Sequence, residues 1–427
     1  MSGTRVEKTV LDNGLVVITE RMDQVRSVSF GVFLKTGSRQ ESLARHGLTH
    51  FIEHAVFKGT HRGDRRRTAA DIAAEADLLG GNLDAFTGRE IVGFHNKVLD
   101  EHLTPAFELI ADLVTAPEFD PVELEKERNV ILEELKMVED TPDDIIFDIF
   151  SEHLYPGDAL GRSILGTRES IGSFSAEMAW PYYREIFAPN NLVLAAAGNL
   201  THAQLVDLAA QHYGGLSRGS GLAELPTPPA VSSINLRHKD ELEQSHLVIG
   251  VPCVSAVSPD RYICHLLSVI LGGGMSSRLF QSVREDRGLV YTIYAAVNPF
   301  KDCGNLNIYA ATSAERLTET IEATLEEVRR LKAAPVEAAE LHRNKEQLKA
   351  SLVLNLESTS SRMSSLAHLE MTFGRNMTTE EIIEAVEVVT VEDIHQMANE
   401  IFDSGQISVT VLGELDGFSL ERADLEC

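Results

Sequence analysis

Residues 47–60 read GLTHFIEHAVFKGT and place His50 and His54 four positions apart. On a helix this spacing brings both imidazoles to one face, a turn apart, as two ligands of a tetrahedral zinc ion require. Glu53, three positions after His50, falls close to the same face. There it can hydrogen-bond a water on the metal, take its proton during attack and return it to a leaving amine. With 15 histidines in 427 residues such a string rarely arises by chance. Two ordinary histidines flanking a helix glutamate are the competing reading.

Two histidines leave a catalytic zinc one protein ligand short. The segment DPVELEKERNVILEELKMVED, residues 120–140, is the best source of the third. Asp120 can cap a helix there, Pro121 suits its first position, and Glu123 can complete a capping box. Val130, Ile131 and Leu135 supply an apolar stripe that holds the helix against a core. Glu134 is the expected third ligand. Glu127, seven positions earlier and nearly on the same face, can accept a hydrogen bond from a ligating histidine. For both glutamates an ordinary charged helix surface is the alternative, and Glu133 is read as solvent-facing.

Attack on an amide also needs donors to the developing oxyanion. The segment GGGMSSRLFQSVREDRGLVYTIYAAV, residues 272–297, offers Arg284 and Tyr291, whose bland readings are a surface charge and a strand aromatic. Gly272 to Gly274 are not followed by Gly-Lys-Ser/Thr, so no phosphate-binding loop is expected. The stretch GGNLDAFTGRE, residues 80–90, has the make-up of an edge strand. Its Asp84, Ala85 and Phe86 can pair with an extended peptide by strand addition. His46 is expected in a loop or first turn, and His95 and His246 in strands. Trp180 and Met363 are expected to serve in core packing.

The elements that position these residues recur along the chain. SAEMAWPYYREIFAPNNLVLAAAGNL, residues 175–200, reads against TVEDIHQMANEIFDSGQISVTVLGEL, residues 390–415, at a constant offset of 215. Each copy has the pattern of an amphipathic helix, a turn and an apolar strand ending at glycine. VSFGVFL near Val28 recurs in type as SHLVIGV near Ser245. Alternation in VEKTVLDNGLVVITE predicts an opening hairpin turned at Asp12 to Gly14. The pattern predicts an α+β fold of two similar domains related by duplication, each a mostly antiparallel sheet packed with helices. The Gly-, Ser- and Pro-rich tract sets the boundaries at 1–214 for the first domain, 215–231 for a linker and 232–427 for the second.

Composition narrows the field. There are 65 acidic against 38 basic side chains, a formal charge of −27, which disfavours nucleic acid and anionic membrane as partners. The one basic run, Arg62 to Arg67, reads as a solvated loop. Four scattered cysteines form no Cys-x-x-Cys pair and support neither a disulfide framework nor a thiolate zinc site. The opening residues lack the apolar core of a signal peptide, and no apolar run approaches the roughly 20 residues of a membrane span. A cytoplasmic protein without membrane insertion is expected.

Taken together, HFIEHAVFKGT, GGNLDAFTGRE, EKERNVILEEL followed by EDTPDD, LGRSILGTRESI, APNNLVLAAAGNL, LEQSHLVIG and SSRLFQSVREDRGLVYTIY resemble the pitrilysin and mitochondrial processing peptidase family. These are zinc metallopeptidases with an inverted His-x-x-Glu-His motif, and the chain is most similar to the short two-domain members. The resemblance implies one zinc per chain on His50, His54 and Glu134, Glu53 as general base and Glu127 as the supporting glutamate. It also implies that Arg284 and Tyr291 donate to the substrate carbonyl and oxyanion.

Further implications are two domains facing each other across a cavity, a homodimer, and hydrolysis of short or unfolded peptides, with presequence processing as one form. The family commonly has Asn-Ala where this chain has Asp84-Ala85, and an aspartate cannot donate the amide hydrogen bonds of an asparagine. A non-catalytic structural subunit of the same fold and a zinc hydrolase of a non-peptide substrate are the two alternatives. The intact metal triad and base argue against the first.

Overall fold

The computed structural model describes residues 6–427. The expectation about the opening residues falls partly on 1–5, which lie outside the described residues. By contacts the chain divides into two units, and neither is a contiguous half. Unit 1 comprises residues 1–136, 163–225 and 354–376, and unit 2 comprises 137–162, 226–353 and 377–427.

The strands of unit 1 are β1 (Val6–Val10), β2 (Val16–Arg21), β3 (Ser27–Leu34), β4 (Gly59–Arg62), β5 (Arg65–Thr68), β6 (Asp84–Thr87), β7 (Val92–Leu99) and β8 (Leu192–Gly198). Six of them form one sheet in the order β1-β2-β8-β3-β7-β6, and β4 and β5 pair separately. The opening hairpin turns where predicted, with Gly14 N donating to Leu11 O at 2.8 Å. Among the described residues of this unit only the β2–β8 pairing is parallel.

Unit 2 repeats the plan with β9 (Ile234–His238), β10 (Ser245–Cys253), β11 (Thr292–Pro299), β12 (Gly304–Thr312) and β13 (Ser408–Gly413), ordered β11-β12-β10-β13-β9. Here the only parallel pairing is β13 with β9. The strands that end the two repeated segments, β8 and β13, hold equivalent interior places, as do β3 and β10. The α+β duplication read from the 215-residue offset is therefore present in the topology.

The α-helices up to Leu154 are α1 (Leu48–Ala55), α2 (Ala69–Leu79), α3 (Leu103–Thr115), α4 (Pro121–Glu139) and α5 (Pro142–Leu154). The break from the 1–214 and 232–427 division comes from α5 and from the helix Thr359–Phe373, each of which packs in the unit of the other half. Met363, Leu366 and Ala367 of the latter lie against Val16, Ile18, Phe33, Val193, Ala195 and Ala197 of the unit 1 sheet. Small alanines on β8 let this helix approach closely. Each large apolar side chain buried there stabilises by about 1.5–3 kcal/mol.

Polar contacts fix the register of that helix. Ser29 Oγ and Thr359 Oγ1 lie 2.8 Å apart, Lys8 pairs with buried Glu370 at 2.6 Å, and Arg362 pairs with Glu20. In unit 2, Ile146, Ile149, Phe150 and Leu154 of α5 pack on Val248, Tyr309 and Leu412. Both exchanges have the same cause: an open sheet face must be covered, and the covering stripe sits on a helix remote in sequence.

The basic run is a hairpin, not a solvated loop. On β5, Arg67 is buried and meets Asp112 at 2.5 Å and Glu75 at 2.7 Å, while Arg65 pairs with Glu108 and Arg66 with Glu118. Carboxylates of α2 and α3, and of the turn after α3, neutralise the run. Val130 also departs from expectation. Leu124, Ile131 and Leu135 form the buried stripe of α4, and Val130 lies outside it, half exposed at 51%. Among the described residues no helix is long and apolar enough to cross a membrane.

Candidate active site

Helix α1 carries the histidine motif and is buried along nearly its whole length. Its start is built by two residues. Gly47 adopts φ +89°, and a Cβ there would lie 2.5 Å from Leu165 O, so only glycine fits. Glu41 then accepts from Gly47 N at 2.7 Å and from Thr49 N at 2.6 Å. That carboxylate satisfies helix N–H groups that would otherwise be orphaned, and it complements the helix dipole.

Helix α4 begins as the sequence indicates, with Asp120 Oδ1 accepting from Val122 N at 2.8 Å and Glu123 N at 3.2 Å. The Glu123 carboxylate, expected to bond back to the cap, engages Lys126 at 2.6 Å. Within unit 1, α4 brings Glu134 to the two histidines. His50 Nε2 and His54 Nε2 are 3.2 Å apart, and Glu134 Oε2 lies 3.7 and 3.6 Å from them. Zinc bonds of about 2.0–2.1 Å at tetrahedral angles separate ligand atoms by about 3.3–3.4 Å. The three donors therefore fit a zinc ion, and they are the only such group of three or more among the described residues. Glu134 is partly exposed, with 39% of its side chain accessible.

The protonation of His50 suits ligation. Burial, reinforced by the neighbouring His54, lowers His50 to about 3, so its imidazole is neutral and its lone pair available. Burial acts to lower His54 as well. The hydrogen bond to Glu127 and the charges of Glu53, Glu127 and Glu134 outweigh it and raise that group. Glu127 is buried, accepts from His54 Nδ1 at 2.8 Å and meets Lys58 Nζ at 2.5 Å. Burial raises its carboxyl, but the His54 and Lys58 contacts prevail and hold it below its ordinary value. An ionised Glu127 fixes His54 with Nδ1 as donor and turns Nε2 toward the metal position. His50 Nδ1 is buried and has no such partner among the described residues.

Glu53 lies beside this group, buried, with its carboxyl raised chiefly by burial. Thr87 Oγ1 donates to its Oε2 at 2.7 Å. Thr87 ends β6, an edge strand that among the described residues pairs only with β7, in the register Asp84 with His95, Ala85 with Phe94, Phe86 with Gly93 and Thr87 with Val92. Asp84 and Phe86 are exposed on this strand.

In unit 2, Arg284 sits in a π-helical turn, Phe280–Asp286, and its guanidinium lies 4.5 Å from the Phe280 ring centre and 4.9 Å from that of Tyr291. The two predicted donors are thus adjacent, with Tyr291 75% exposed. His46 is buried on Ser163 O at 2.7 Å, outside the metal group. His95 and His246 are in strands, and His246 Nδ1 lies 2.8 Å from Tyr309 OH. Glu133 pairs with Lys136 on the surface, as expected.

Sequence reasoning missed three contributors: Glu41, Lys58 and Thr87. Lys58 follows the motif by four residues, and a charged residue so near a buried site was a usable signal. Thr87 and Glu41 carried none, because their roles arise only from tertiary contact.

The chain has relatives among known proteins. Residues 16–168 match the family model described as insulinase (peptidase family M16), and residues 173–348 match the peptidase M16 inactive domain. The zinc motif lies within the first match. A Bacillus subtilis protein named an uncharacterized zinc protease, YmxG, is 38% identical over 93% of this chain and 96% of its own length. A Streptomyces coelicolor protein of the same description is 33% identical over 96% of this chain and 90% of its own.

Two solved structures share the fold. A protease from Helicobacter pylori has a TM-score of 0.87 at 22% identity, covering 96% of this chain and 99% of that one. A peptidase M16 inactive domain from Pseudomonas fluorescens has 0.89 at 21%, covering 96% and 98%. On the relatives' identity and coverage, this chain belongs to peptidase family M16, among proteins named zinc proteases.

Proposed function

We propose that the chain is a zinc-dependent endopeptidase that hydrolyses peptide bonds in short or unfolded peptides. The observation that carries this reading is the convergence of His50 Nε2, His54 Nε2 and Glu134 Oε2 at zinc-ligand spacing with buried Glu53 alongside. Such a zinc ion, one per chain, would supply a Lewis acid that acidifies water and polarises a carbonyl.

The chain's own residues supply the rest. Glu53 takes the proton of the attacking water and passes it to the leaving amine. Glu127 holds His54 in the ligating tautomer. The free edge of β6, at Asp84, Ala85 and Phe86, takes the substrate as an added strand. To Arg284 and Tyr291 we assign the donors that bind the substrate carbonyl and stabilise the oxyanion. We infer a homodimer, because one chain carries both the metal group and the Arg–Tyr pair, and a cytoplasmic location, because the scattered cysteines form no disulfide framework. Processing of presequences is one use of this activity.

The test is a digest of a diverse peptide library, read by mass spectrometry, with protein of measured zinc content. Near-stoichiometric zinc and chelator-sensitive cleavage support the reading. Stoichiometric zinc with no cleavage refutes it and favours a non-peptide substrate, whereas no zinc after metal-replete preparation favours a structural subunit. Sedimentation velocity tests the homodimer.

A further inference from the structure

We propose that Thr87 is a positioning residue for the reaction: its hydroxyl fixes the Glu53 carboxylate for proton transfer, and does so from the strand on which substrate docks. The inference rests on Glu53 acting as the base in the function proposed above.

A glutamate has three side-chain torsions, and a base that wanders by a fraction of an ångström loses much of its advantage. Burial of Glu53 restricts the chain but does not choose the direction in which its oxygens point. Thr87 Oγ1 makes that choice by donating to Oε2 at 2.7 Å. Among the described residues no second hydrogen bond reaches this carboxylate, so Oε1 is the oxygen left to take the proton.

The hydroxyl is itself firmly held. Thr87 pairs with Val92 of β7, and the turn that follows is closed by Gly88 N donating to Ile91 O at 2.7 Å. That turn is docked onto the segment after β3, where Ser38 N donates to Gly88 O at 3.1 Å and Arg39 N to Arg89 O at 2.8 Å. Buried Arg39 pairs with Glu90 at 2.6 Å. Gly37 permits the contact, since a Cβ there would lie 2.2 Å from Gly88 O. One edge of β6 is bonded to β7, and among the described residues no strand pairs with the other. A peptide added to that free edge thus lies on the same strand that aims the base, and docking and proton transfer share one rigid support.

Steady-state cleavage of a fluorogenic peptide by zinc-loaded Thr87→Val, Thr87→Ala and Thr87→Ser tests this. Losing a hydrogen bond to a charged group predicts that Val and Ala each lower kcat by about 10- to 100-fold while KM stays within about twofold. Thr87→Ser keeps the hydroxyl and restores kcat to within about threefold of wild type. Unchanged kcat in the Val and Ala variants, a loss confined to KM, or a Ser variant as impaired as Val would each overturn the inference. A wild-type protein that cleaves no peptide overturns the proposed function itself. An active wild type beside equally active Val and Ala variants defeats the role of Thr87 alone.

Discussion

Replacing Glu127 with Gln probes how the metal group is held, because it changes charge at almost constant shape. The carboxylate is buried and has two partners, His54 Nδ1 at 2.8 Å and Lys58 Nζ at 2.5 Å. A hydrogen bond to an ionised group contributes about 1.5–3 kcal/mol, against about 0.5–1.5 kcal/mol for a neutral one. Glutamine can still accept from His54, so roughly 1–2 kcal/mol of orientation and basicity is lost from that ligand. Lys58 is also left without its counter-charge, which adds repulsion toward an incoming cation. Together these predict zinc binding weaker by about 10- to 100-fold.

Competition titration against a chromophoric chelator measures this directly, independent of any activity. Thermal unfolding of the metal-free protein checks that the fold persists. A Glu127→Gln variant that binds zinc within about twofold of wild type would refute the reasoning, because a supporting hydrogen bond of this geometry carries a larger share of the affinity.

Two further outcomes follow from packing. Met363→Ala removes a side chain 1% exposed at the sheet of unit 1 and should destabilise by about 2–5 kcal/mol. Hydrogen exchange should show the lost protection in β2, β3 and β8 although Met363 lies in the second half of the sequence; loss confined to unit 2 would contradict the helix exchange. Gly47→Ala forces a side chain onto Leu165 O at positive φ, so it should cost about 1–3 kcal/mol and lower zinc occupancy by displacing the start of α1. Wild-type melting temperature and zinc content in that variant would count against the account of how α1 is placed.

The sequence disclosed the local grouping of the candidate metal residues more fully than the architecture. The convergence of His50, His54 and Glu134 was legible because a four-residue spacing translates directly into one helix face, and because Asp120-Pro121 marks the start of the helix bearing Glu134. The duplication was legible in the repeated helix and strand segments, which prove to occupy equivalent sheet positions. What the sequence concealed depends on partners distant along the chain.

The bond from Thr87 to Glu53 spans 34 residues and involves a threonine that looks like any strand residue. Glu41 reaches the first turn of α1 from a separate short segment, and nothing in its local sequence marks that contact. The exchanged helices could not be foreseen, since the apolar stripe of Thr359–Phe373 names no partner sheet by its pattern, and it packs on the sheet of unit 1. Val130 was misplaced because an apolar residue beside Ile131 satisfies the helical period nearly as well as Leu124 does. The arginine run was misread because the carboxylates that neutralise it lie on separate elements.

The most direct test of the central claim is to replace Glu53 with Gln and measure zinc content and peptide turnover on the same preparation. Glutamine preserves the hydrogen bond from Thr87 and leaves His50, His54 and Glu134 untouched, but it cannot accept the proton. The account predicts zinc near one per chain and turnover reduced by about 10²- to 10⁴-fold. Turnover close to wild type with zinc retained would contradict it, for the base would then have to lie elsewhere.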